Sequence, residues 1–118
     1  MLSLEGLTTR LNRVLKSLDT EYNTGLKRFT KTGTYTADSN DDVLMADVSG
    51  GGFTITLPSV AAKAGHVIRV KLVVAGGNTL TVARAGSDTI DGATSVTTTT
   101  LWGNWTFISD GDTEWLIF

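Results

Sequence analysis

The feature that most limits the fold of this chain is a change of period at Gly33. Up to about Phe29 the apolar residues fall at helical spacing. Beyond Gly33 they fall in short runs that alternate with threonine, most clearly in "FTITL" and "LTV". These runs are separated by "DSNDD", "SGGG", "PSVAAKAG", "AGG", "AGSDTIDGA" and "DGD", most of them rich in residues that supply turn geometry. Strands are predicted over residues 35–37, 43–47, 53–57, 66–74, 79–83, 95–101, 105–109 and 114–118. Nothing in this stretch except "SVAAKAG", good for one turn, has the period of a crossover helix, which argues against a βαβ fold. The expected fold is mainly β, an antiparallel β-sandwich or barrel-like domain over 32–118.

Residues 1–31 read differently. Leu4, Leu7, Leu11, Val14, Leu18, Tyr22, Leu26 and Phe29 follow one another in steps of 3, 4, 3, 4, 4, 4 and 3. The extra four after Leu18 is a stutter, so a heptad seam would run for only a few turns. Two readings stand: an intermolecular coiled coil, expected to be trimeric, or an amphipathic helix packed on its own domain. Leu4, Leu7, Leu11, Val14, Leu18 and Tyr22 are the candidate oligomerisation residues.

Charge divides at the same boundary. Residues 1–31 hold six Lys and Arg against three acids, and residues 32–118 hold four against nine. Arg10, Arg13, Lys16, Lys27, Arg28 and Lys31 are scattered, with Asp19 and Glu21 between them. That is a solvated helix face, or one that docks on an acidic protein, rather than a nucleic-acid arm. At 118 residues the chain makes one β domain with a modest core, and no apolar run approaches the roughly 20 residues of a bilayer span. The opening "MLSLEG" lacks the basic start of a signal peptide, so synthesis in the cytoplasm is expected. The absence of cysteine removes disulfides, thiolate metal sites and a cysteine nucleophile, and oligomerisation is the remaining stabiliser for so small a body.

Several groups have the residue types that chemistry needs. Asp110, Asp112 and Glu114 are oxygen donors at close spacing, yet the sixth position of an EF-hand loop starting at Asp110 would be Trp115 instead of glycine. A hairpin turn centred on Asp-Gly, its carboxylates in water, is the expectation, with no metal and no cofactor. His66 lacks a Gly-x-Ser-x-Gly partner and is expected at a strand end on the surface. Gly50 to Gly52 lead into a strand, where a phosphate loop would lead into a helix. Asn104 opens a formal glycosylation triplet that matters only in a secreted eukaryotic protein. Trp105, Phe107, Trp115 and Ile117 are expected to fill the core across the last hairpin. Trp102, beside Gly103 in a turn, is the candidate for an exposed ligand contact, such as a sugar ring.

The ordered series "GGFTITLPSV", "AGHVIRVKLV", "GGNTLTV", "GSDTIDGATSVTTT" and "FISDGDTEWLIF" resembles a small β module of bacteriophage virion proteins, above all tail fibres, over about residues 34–118. The resemblance implies a non-enzymatic, commonly trimeric structural part whose partners are itself and other virion proteins of capsid or tail. It also implies that "TIDGA" and "SDG" are structural turns. Asp112 and Glu114 depart from the family's usual Ser-Asp-Gly-Thr-Asn-Trp ending. The expectation is a homotrimeric fibre, appendage or decoration protein located in the virion, with no membrane partner. The alternatives are a receptor- or glycan-binding adhesin tip and, last, a glycan depolymerase, which would need two carboxylates across a cleft.

Overall fold

The computed structural model describes residues 28–118. It is mainly β, with two sheets enclosing one core. Sheet A has the order β1 (Arg28–Lys31), β3 (Val43–Asp47), β5 (Val67–Val74), β9 (Asn104–Ser109), β10 (Glu114–Ile117), β7 (Thr89–Ile90). Sheet B has the order β2 (Tyr35–Thr36), β4 (Phe53–Thr56), β6 (Leu80–Ala83), β8 (Ser95–Thr98).

The antiparallel expectation needs correction. From β1 to β6 the chain steps alternately between the two sheets, and neighbours within each sheet run parallel: β1–β3–β5 in one, β2–β4–β6 in the other. A parallel pair needs a long connection, and here the opposite sheet supplies it in place of a helix. The chain therefore winds as a flattened coil, closed by antiparallel β9 and β10 on sheet A and β8 on sheet B. The turns of the coil differ in length. Arg28 faces Val43 and Val43 faces Arg69, while Tyr35 faces Ile55 and Phe53 faces Leu80. With no fixed period, the winding leaves no repeat in the sequence.

Two strands were not expected. Arg28–Lys31 falls at the end of the helical spacing, but "RFTK" pairs in register with β3, placing Phe29 opposite Leu44. The β body thus begins at Arg28, and the boundary at residue 31 moves accordingly. β7 is two residues of the "TIDGA" turn that pair parallel with Glu114 and Trp115. The leucine stripe from Leu4 to Tyr22, and with it the helix, lies outside the described residues.

Alternation produces the core. Leu44, Ala46, Ile68, Val70, Leu72, Phe107 and Trp115 from sheet A meet Phe53, Ile55, Leu80 and Val82 from sheet B, and all are buried. Each large aliphatic side chain removed from water contributes about 1.5–3 kcal/mol before chain entropy is counted. The single turn expected in "SVAAKAG" is a 3-10 turn at Val60–Ala62, which carries Val60 into the core.

Candidate functional site

The acidic hairpin comes first, because its carboxylates were the strongest candidates for metal or acid-base chemistry. Gly111 has φ +80° and closes the turn. Asp110 Oδ1 accepts the backbone N–H groups of Asp112 at 2.8 Å and of Thr113 and Glu114 at 3.1 Å. These donors hold the Asp110 carboxyl below the usual carboxylate range, chiefly through Asp112 and Glu114. Glu114 turns away from Asp110 and accepts the Thr89 hydroxyl and the Gly92 N–H. The carboxylates therefore do not simply point into water. Asp110 organises its own turn, Glu114 ties the hairpin to "TIDGA", and Asp112 is exposed.

Other acids behave similarly. Asp91, at φ +46°, accepts the Ile117 N–H at 3.1 Å, and Asp88 accepts the Val60 N–H at 2.9 Å. Asp47 accepts both the N–H and the hydroxyl of Ser49, which lowers its pKa. Buried Asp41 accepts the Tyr35 hydroxyl at 2.6 Å and the Asp38 N–H at 2.9 Å. The bond to Asp41, with burial, raises the Tyr35 phenol to about 12. These carboxylates replace missing backbone partners at turns. Among the described residues, no group of three His, Cys, Asp or Glu side chains could hold a metal ion.

His66 is a second correction, since it is buried and not at the surface. Its Nε2 stands 2.7 Å from the carbonyl oxygen of Asp41, so this nitrogen carries a proton and cannot act as a base in that arrangement. Asp42 Oδ1 lies 3.7 Å away, and the imidazole leans on the Trp115 indole at 6.0 Å. Ser109 donates its N–H to the His66 carbonyl, but its hydroxyl donates to Val60 O at 2.8 Å. The histidine pins the β2–β3 loop to the closing hairpin, and nothing here forms a nucleophile-base pair.

The triple glycine also serves packing. A Cβ at Gly52 would stand 2.6 Å from the Thr79 carbonyl oxygen, so the loop is kept bare to pass the β5–β6 connection. Asn104 opens β9 and is exposed.

Of the tryptophans, Trp115 is fully buried and donates its indole N–H to Pro58 O at 3.1 Å. Trp105 is half-buried and packs 5.9 Å from Phe107, and Ile117 pairs with Phe107, as expected of core aromatics. Trp115 faces Ser109, not Trp105. Trp102 is 58% exposed and has φ +67°.

The outer faces of the sheets are unlike. In register across sheet B stand Thr54, Thr81 and Thr97, beside Thr36, Thr56, Ala83 and Ser95. Across sheet A stand Val67, Ile108 and Leu116, beside Val43, Arg69 and Thr106. Leu116 is 38% exposed, and Phe118, bonded through its N–H to Thr106 O, is 77% exposed. The alternation was readable; the unlikeness of the faces needed the register.

No protein-family model matches this chain, and no curated protein matches its sequence significantly.

Proposed function

We propose that this protein is a structural component of a bacteriophage particle, a fibre, appendage or decoration protein that assembles as a homotrimer and docks on the virion. The observation that carries this reading is the outer face of sheet A. A β body of this size has little reason to set half-buried Val67 and Ile108 in one row with exposed Leu116, and Phe118 beside them, unless another surface covers the row. The occupant is a second copy of the chain. Arg69 on this face and Asp47 at its margin give copies turned about a common axis opposite charges to set against one another. The Leu4 to Tyr22 stripe adds a coiled coil at the N-terminus, where each buried leucine contributes roughly 2 kcal/mol before ordering costs. The ordered motifs that resemble fibre modules give the setting, and the acids engaged at turns fit a scaffold better than a depolymerase.

Two experiments test it. Light scattering of the full chain should give a discrete trimer, weakened when residues 1–27 are removed. The cut falls there because β1 begins at Arg28. Electron microscopy of intact particles carrying an epitope-tagged copy should place the protein on the capsid or tail; a purely cellular protein, absent from particles, would sink the reading.

A further inference from the structure

The turn between β8 and β9 places a tryptophan where neither folding nor packing asks for one. Gly103 N–H donates to Thr100 O at 2.9 Å, so Thr100 to Gly103 is a four-residue turn with Trp102 in its third position at φ +67°. That position favours glycine or asparagine, and a bulky residue there is a conformational outlier. The surroundings enforce it. Trp102 N–H donates to Leu72 O at 2.8 Å, and Gly103 O accepts the Leu72 N–H at 2.9 Å. A Cβ on Gly103 would stand 2.8 Å from Thr100 O. The indole gains only partial burial in exchange, since the residue is 58% exposed. Strain held for so small a packing return points to a working residue.

The neighbours indicate the work. Lys71 Nζ lies 5.8 Å from the centre of the indole ring. Asn104 is the cross-strand partner of Lys71, on the same face and exposed, and its amide reaches Trp102 O at 3.4 Å. The site is thus an exposed indole with one ammonium over its ring and one amide beside it. It lies about 13 Å along β5 from Val67, at the opposite end of the strand from the apolar row assigned to assembly.

We propose that Trp102, Lys71 and Asn104 form a binding site for an acidic sugar. The C–H face of a pyranose stacks on the indole, its carboxylate meets the Lys71 ammonium, and a ring hydroxyl meets the Asn104 amide. A neutral sugar would leave the ammonium with the indole ring alone, whereas a carboxylate supplies its counter-charge. The site does not depend on the trimer reading and stands or falls separately.

The test uses the full chain with the indole N–H resonances followed by NMR. The probes are a sialic-acid-terminated trisaccharide and tetragalacturonate, with lactose and maltotetraose as neutral counterparts. The Trp102 resonance should move with at least one acidic sugar and not with its neutral counterpart. Lys71→Gln should weaken that binding by about tenfold, as expected for loss of one charge-assisted hydrogen bond. Trp102→Gly should abolish it while leaving the oligomeric state as in the parent and the Tm unchanged or higher, since glycine relieves the turn. The proposal is overturned if neither acidic sugar moves the resonance at millimolar concentration, or if neutral sugars move it equally. It is also overturned if Trp102→Gly lowers the Tm or alters the oligomeric state, which would make the indole a structural contact.

Discussion

The two sheets share one core but differ where they face outward. Apart from Ala83, sheet B ends in short, uncharged hydroxyl side chains that water solvates well, so its outer surface needs no cover. Sheet A ends in the branched aliphatics Val67, Ile108 and Leu116 with Arg69 among them, a composition that suits the proposed contact between copies. Both sheets contribute alternating strands to the same buried cluster, so the difference does not arise from the fold. It arises from the residues of opposite parity in each strand, which folding leaves free and assembly can use.

The largest effect should come from a change that cannot tell the faces apart. Trp115 lies in the core against His66, and Trp115→Ala should cost about 3–5 kcal/mol in urea unfolding, loosening both sheets together. Next comes a change that separates them. Ile108→Glu on sheet A should raise the dissociation constant of the proposed trimer by about 30-fold or more, the scale of an interface hot spot, with little change in circular dichroism. A smaller effect is expected from acid. Asp47 and Asp110 have lowered folded-state pKa values, so the folded state binds protons less readily than the unfolded one. Their stabilisation is present above the ordinary carboxylate pKa and is lost as pH falls through the lowered values. The protection factors of the Asp112, Thr113 and Glu114 amides, corrected for the intrinsic pH dependence of exchange, should therefore fall in acid before those of β6, and Asp110→Asn should remove that difference. The smallest effect belongs to sheet B: Thr81→Glu should change stability by no more than about 0.5 kcal/mol and leave sedimentation unchanged. A trimer broken by Thr81→Glu and indifferent to Ile108→Glu would reverse the assignment of the faces.

Much of this structure was readable from the sequence, and the misses have physical causes. The expected strands from Tyr35 onward all form, because alternation and turn residues are local signals. Their direction is not local. Parallel and antiparallel strands share the same alternation, and the unequal turns of the coil removed the repeat that would have betrayed the winding. "RFTK" was claimed by the helical spacing before it, whereas pairing with β3 decides its state. His66 was read from its flanking "AKAG" as exposed, yet the closing hairpin folds over it from residues more than forty positions away. Of the acids in "FISDGDTEWLIF", Asp110 and Asp112 lie in the expected turn, whereas Glu114 opens β10 and reaches Thr89 and Gly92 because of β7, a strand too short to announce itself.

The central claim is that copies of this chain meet through the outer face of sheet A. Sedimentation equilibrium of the full chain beside its Ile108→Glu and Leu116→Glu variants tests it most directly. A trimer for the parent at micromolar concentration, shifted toward monomer by both substitutions without loss of β structure, is the expected result. A parent that sediments as a monomer, or a trimer that both variants leave intact, would contradict the account.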